Sequence, residues 1–216
     1  MQAPVSSNDI AIVDDDEALR DSLVWLLSSV GLKSCTFVDG DSFLAANQTW
    51  KVVLLDVRMP GLSGLQVQQH LAEMGATSAV IMMTGHGDVP MATQALKNGA
   101  FDFIEKPFNH QQLIDSIQQA LTHVQQQQTR DQKHHELSQR FASLRPKEQQ
   151  IVRHVAQGMT SREIAEAMTI SAKTVEVYRL RAMKTLGAGN LAELVRQAVA
   201  LKLVTALPEN RNNITP

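Results

Sequence analysis

The stretch 51–64 constrains the chain more than any other. Its apolar run Val52-Val53-Leu54-Leu55 has strand length and ends on a single carboxylate, Asp56. Pro60, Gly61 and Gly64 then impose a turn. A charge so placed sits at the carboxyl end of a strand, where open α/β sheets gather their ligands. A carboxylate can act there as a covalent nucleophile, so Asp56 is the candidate acceptor of a phosphoryl group.

Four further runs read as strands, at 10–13, 33–38, 79–83 and 101–104. Helical patterns fall between them. Leu19, Leu23, Leu26, Leu27 and Val30 recur at helical spacing, and Gly31 closes that helix. Shorter helices are predicted over 42–46 and 65–74. Another spans 88–97, with Asp88 as cap and Pro90 in its first turn, and a fifth runs from His110 to about Val124. Strands alternating with helices imply a doubly wound, five-stranded parallel sheet.

The character changes after residue 124. Residues 125–140 are polar and aromatic-free, and read as a linker of helix-forming composition. His134 and His135 within it are adjacent and cannot share a helix face, so they read as solvated residues rather than metal ligands. Residues 141–207 are helical throughout, with helices predicted over 146–157, 161–168, 171–186 and 190–203, and 208–216 form a tail. Charge divides with the pattern. Residues 1–124 carry 6 Lys and Arg against 14 Asp and Glu, and residues 125–216 carry 14 against 8. An acidic front and a basic back predict two domains with different partners, the second a nucleic acid. Cys35 is the single cysteine, so no intramolecular disulfide forms. With no secretory n- and h-region and no run of ~18 apolar residues, a cytoplasmic location and no membrane partner are expected.

Asp14, Asp15, Asp56, Thr84 and Lys106 all fall at carboxyl ends of predicted strands, which a parallel sheet brings to one edge. Clustered carboxylates repel unless a cation is present. An oxygen-rich acidic pocket suits Mg²⁺, with Mn²⁺ the alternative. Lys106 offers a compact positive charge to a phosphoryl oxygen, and Thr84 offers a hydroxyl. Asp16 is assigned to helix capping.

Residues 8–124 resemble the receiver domain of bacterial two-component response regulators. The strings that carry the resemblance are Ile12-Val13-Asp14-Asp15-Asp16, Leu54-Leu55-Asp56-Val57-Arg58-Met59-Pro60-Gly61, Met83-Thr84-Gly85-His86-Gly87 and Phe103-Ile104-Glu105-Lys106-Pro107-Phe108. The resemblance implies a flavodoxin/CheY-like fold and phosphorylation of Asp56 by a sensor histidine kinase. It implies Asp14, Asp15 and Asp56 as metal ligands, together with the Arg58 backbone carbonyl. It further implies a cis bond before Pro107, a switch formed by Thr84 and Phe103, and tuning of phosphoryl lifetime by Arg58 and His86.

In the basic half, Ser161 to Ser171 reads as helix, tight turn and N-cap. The helix that follows carries Lys173, Thr174, Glu176, Tyr178, Arg179, Arg181 and Lys184 among Val175, Val177, Leu180 and Met183. One face is expected to pack and the other to meet DNA in the major groove. Residues 141–204 resemble the four-helix LuxR-type DNA-binding domain through Leu144-Arg145-Pro146-Lys147-Glu148, Ala156-Gln157-Gly158-Met159-Thr160, Glu163-Ile164-Ala165, Ile170 to Glu176 and Lys184-Thr185-Leu186-Gly187. Thr174 to Arg179 points to the FixJ subgroup, with Tyr178 where the family commonly has His.

The two resemblances together imply a phosphorylation-dependent transcriptional regulator, not an enzyme apart from self-phosphorylation and self-dephosphorylation at Asp56. Phosphorylation would drive homodimerisation through 88–124, with RNA polymerase a further partner. Two alternatives stand beside this reading. A Mg-dependent aspartyl-phosphate phosphatase is disfavoured, because Asp14-Asp15-Asp16-Glu17-Ala18 lacks the Thr of Asp-x-Asp-x-Thr. A regulator whose output is protein binding is the other.

Overall fold

The structure is a computed structural model that describes residues 9–85 and 89–203. The expected roles of His86 and Asp88 and the expected tail lie outside the described residues. The chain divides into two compact units between Gln127 and Gln128.

The first unit alternates strands and helices: β1 (Ile10–Val13), α1 (Glu17–Ser29), β2 (Ser34–Phe37), α2 (Gly40–Ala45), β3 (Val52–Asp56), α3 (Gly64–Glu73), β4 (Ala79–Thr84), α4 (Val89–Lys97), β5 (Asp102–Glu105) and the first half of α5 (His110–Ala142), whose second half belongs to the helical unit. The strands form one parallel sheet in the order β2-β1-β3-β4-β5. Strand periodicity explains its two cores, because successive side chains point to opposite faces. Ile10, Ile12, Val52, Leu54, Ile81 and Met83 face one side, where Leu23 and Leu27 of α1 and Leu113 and Ile117 of α5 cover them. Ala11, Val13, Val53, Leu55, Val80 and Met82 face the other, under Phe43, Val67 and Ala95. Helices on both faces account for the apolar runs of the three inner strands β1, β3 and β4, whereas the outer strands β2 and β5 carry polar residues and are less buried.

The helical unit contains α6 (Pro146–Ala156), α7 (Ser161–Met168), α8 (Ala172–Leu186) and α9 (Leu191–Ala200). Three of the four starts are capped by a side chain: Thr160 accepts from the Glu163 N–H, Ser171 from Thr174 and Asn190 from Glu193, while at α6 the Glu148 side chain accepts from the Arg145 N–H. Its core gathers Ile151, Val152, Ile164, Val175, Ala182, Leu186 and Leu194.

The linker 125–140 is helical, in line with its helix-forming composition: α5 runs unbroken for 33 residues to Ala142. It contains neither Gly nor Pro, and Gln132–Glu136 and His135–Gln139 pairs one turn apart support its polar middle. Its last turns carry Leu137 and Phe141, which pack in the helical unit's core. One expectation is corrected: on α8, Val177 and Leu180 do not pack; they are 41% and 62% exposed. The buried face is instead Val175, Ala182 and Leu186, with Tyr178 and Met183 packed against it. Among the described residues no helix is long and apolar enough to cross a membrane.

Candidate functional site

The strand order reverses direction between β1 and β3, and that pair defines the crevice at the sheet's carboxyl edge. Val13 pairs with Leu55, so the residues that follow, Asp14 and Asp56, emerge side by side. Asp56 in turn pairs with Met83, which sets Thr84 one step beyond on β4. Asp14, Asp56 and Thr84 are 1%, 5% and 1% exposed.

Lys106 follows β5, and its backbone N–H donates to the Thr84 carbonyl at 2.6 Å. Its side chain crosses to the acids. Nζ donates to Asp14 Oδ2 and to Asp56 Oδ1, both at 2.6 Å. The second oxygen of each acid is also engaged. Asp56 Oδ2 accepts from the Arg58 N–H at 2.8 Å, and Asp14 Oδ1 from the Asp16 N–H at 3.0 Å. Arg20, one turn into α1, donates from Nη1 to the Asp14 carbonyl at 2.7 Å. The Lys106–Pro107 bond is cis.

Burial pushes the Asp56 carboxyl above the ordinary carboxylate range, and the nearby Asp14 charge adds to this. The Lys106 ammonium and the Arg58 N–H pull it back only in part. Burial depresses Lys106, but its bonds to Asp14 and Asp56 outweigh that and leave it raised. A carboxyl raised in the folded state contributes stability that is present below its unfolded pKa and lost as pH rises through the folded value. Ionised Asp56 is therefore a cost at neutral pH. Asp56→Asn is expected to raise the midpoint of thermal unfolding at pH 7, by a margin that shrinks on acidification toward pH 4. Melting curves at the two pH values check this.

The predicted site residues are not all assembled. Asp14, Asp56 and Lys106 form one bonded group, with Thr84 buried at the adjoining strand end. Asp15 and Arg58 are exposed. No group of three or more metal-ligating side chains is gathered among the described residues. Asp16 caps α1, accepting from the Leu19 N–H at 3.2 Å. Phe103 pairs with Met82 on β4 and packs half-buried against the core that includes Ala95 of α4. Two contributors were missed. Arg20 has no signal in the sequence, since its target is a backbone carbonyl. The sequence marks Gly64 only as a turn residue, although a Cβ there would collide with the Asp56 carbonyl.

In the helical unit, α7 ends on Thr169 in the left-handed region at φ 55°. The chain turns through Ile170, and Ser171 caps α8. Helix, tight turn and capped second helix make a helix-turn-helix. On α8, Lys173, Arg181 and Lys184 are exposed. Thr174 is half-buried, its hydroxyl 2.8 Å from that of Ser171. Glu176 and Arg179 are engaged with each other and with α7. The Ser161 hydroxyl donates to Glu176 Oε1 at 2.6 Å, while Arg179 donates to Glu176 Oε2 and to Ser161 Oγ. The sequence marks Ser161 only as the start of the preceding helix.

Fold and site together define a doubly wound unit with a buried acid–lysine group at its switch point, in one chain with a helix-turn-helix unit. Residues 10–118 match the family model described as the response regulator receiver domain, and residues 142–198 match the model of bacterial regulatory proteins of the luxR family. The chain belongs to the two-component response regulators that join a receiver domain to a LuxR-type domain, and it is a transcription regulator. It is 40% identical to the transcriptional regulatory protein FixJ of Azorhizobium caulinodans over 192 residues, covering 88% of this chain and 91% of that protein. It is 41% identical to the tetrathionate response regulatory protein TtrR of Salmonella typhimurium over 208 residues, covering 95% and 97%. Among solved structures, the response regulator StyR matches with a TM-score of 0.75 at 35% identity, covering 88% of this chain and 97% of that one. Full-length FixJ from B. japonicum matches with a TM-score of 0.56 at 37% identity, covering 91% and 98%. Membership sets aside the phosphatase alternative.

Proposed function

We propose that Asp56 is the phosphoacceptor, that a sensor histidine kinase supplies the phosphoryl group, and that phosphorylation promotes homodimerisation through 88–124 and binding to double-stranded DNA. The observation that carries this reading is the Lys106 ammonium joined at 2.6 Å to both Asp14 and Asp56 at the strand-order reversal. Asp56 combines burial with a carboxyl raised above the ordinary range, as suits a nucleophile whose charge is held back from water.

The donor set fits a hard cation. It is made of carboxylate oxygens, and burial penalises the Asp56 charge that a cation would offset. Asp14, Asp15, Asp56 and the Arg58 carbonyl would hold Mg²⁺ or Mn²⁺, which supplies charge neutralisation as an anionic donor approaches. Asp56 attacks the phosphorus, the donor's leaving group departs, and the new P–O bond makes an acyl phosphate. Lys106 then pairs with a phosphoryl oxygen in place of the carboxylate oxygen it holds here. Thr84 donates its hydroxyl to the same group, and Phe103 shifts in the α4-facing core. Water later attacks the phosphorus, the P–O bond to Asp56 breaks, inorganic phosphate leaves and the carboxylate is restored, so the cycle is self-phosphorylation and self-dephosphorylation.

Among the α8 residues, Lys173, Arg181 and Lys184 make phosphate or guanine contacts, with Thr174 beside them. Glu176 and Arg179 hold α8 against α7 through Ser161, and Tyr178 packs inward, so these three act on DNA through the helix's placement. RNA polymerase is a further proposed partner, and the cytoplasm the proposed location.

Small phosphodonors with Mg²⁺ are expected to convert the wild-type chain to a dimer in light scattering and to leave Asp56→Asn unchanged. Equal dimerisation of the two would sink the acceptor assignment. Arg181→Ala is expected to lower DNA affinity at 100 mM salt and to reduce the slope of log affinity against log salt by about 1, as loss of one phosphate contact does. Titrations at several salt concentrations read it out.

A further inference from the structure

Helix α8 leaves two apolar side chains in water although its unit has a complete core. Val177 is 41% and Leu180 62% exposed, while Val175, Ala182 and Leu186 of the same helix are at most 1% exposed. Lys173, Val177, Leu180, Arg181 and Lys184 succeed one another at steps of three or four residues, Arg181 lying beside Leu180, and so share one outward stripe. Glu176 and Arg179, the polar side chains between these positions, are engaged with Ser161 and with each other. The outward face therefore has methyl groups in the middle and cations at the ends.

That arrangement selects its partner by charge and chemistry. The cations suit a polyanion, whose phosphates position the helix without reading sequence. An apolar centre suits the one apolar group that the major groove displays, the 5-methyl of thymine. We infer that Val177 and Leu180 are specificity-determining residues that read thymine methyls in the operator. The inference rests on the DNA-binding reading above and adds to it the kind of base that the helix prefers.

The test uses the full-length chain, phosphorylated by a small donor, and a site selected from a randomised duplex pool. Each thymine of the selected site is then replaced by uracil, which removes only the methyl. Wild type is expected to bind about fourfold more weakly at one or more of these positions, the loss that follows from one uncovered methyl-sized group. Val177→Ala and Leu180→Ala, both on the exposed face, are each expected to erase the thymine–uracil difference at a different position while the circular dichroism spectrum stays unchanged. Uracil substitutions without effect anywhere would overturn the inference, as would discrimination that survives in the double variant. A change in self-association with unaltered discrimination would assign the face to a second copy of the chain and overturn it as well. Specific DNA binding without methyl dependence defeats this inference alone. If no sequence is selected at all, the DNA-binding reading falls with it.

Discussion

Gly64→Ala is expected to destabilise the receiver unit by about 3 kcal/mol or more, since its added methyl meets backbone at closer range than at any other described glycine. An ideal Cβ at Gly64 would stand 3.0 Å from the Asp56 carbonyl carbon and 3.1 Å from Val57 Cα, and closer still to the Asp56 oxygen. These are backbone atoms, so no rotamer change relieves the clash. The approach is close because α3 begins against the end of β3, with the Gly64 N–H donating to the Val57 carbonyl at 3.0 Å. Relaxation would therefore displace the backbone that carries Asp56, and phosphoryl acceptance should fall with stability. Gly31→Ala is the control. Gly31 has φ 76° but nothing within 4 Å of a Cβ, so only the backbone cost of about 1 kcal/mol applies. Urea unfolding of the two variants separates close approach from conformational cost.

Lys106→Ala is expected to cost about 3–5 kcal/mol at pH 7, the usual result of removing one partner of a buried charge group. It leaves Asp14 and Asp56 buried together without their shared ammonium. The sign with pH follows from the direction of the Asp56 shift. Lys106 is one of the influences that lower a carboxyl which burial already raises, so its loss raises Asp56 further. A raised carboxyl loses stability as pH climbs through its folded value, and the variant therefore recovers toward wild type on acidification. Urea unfolding at pH 7 and pH 4.5 should show the gap narrowing. A gap that widens at pH 4.5 would mean that the ammonium serves some other group.

The sheet was legible because its strands are short apolar runs that end in chemically distinctive residues. Asp14, Asp56, Thr84 and Lys106 mark strand ends, and parallel order alone carries them to one edge. Their bonding was not legible. That Lys106 joins both acids depends on β5 lying two strands from β3, and on how far the side chain reaches, neither of which residue spacing contains. Arg20 escaped notice because it serves a carbonyl, which every residue has. The linker's helix-forming composition was legible, but not how far the helix runs, because glutamines and lysines support a helix and a coil alike until Leu137 and Phe141 pack. On α8 the apolar residues outnumber what one face can bury. The pattern put Val177 and Leu180 inside, whereas the α6 and α7 contacts bury Val175, Ala182 and Leu186 instead.

The central claim is that one carboxylate, Asp56, takes the phosphoryl group. The most direct measurement is to treat the full-length chain with acetyl phosphate and Mg²⁺, trap the acyl phosphate by borohydride reduction, and map the product by peptide mass spectrometry. Homoserine is expected at position 56, with Asp14 and Asp15 unmodified and no product from Asp56→Asn. Modification at Asp14 or Asp15, or undiminished labelling of Asp56→Asn, would contradict it.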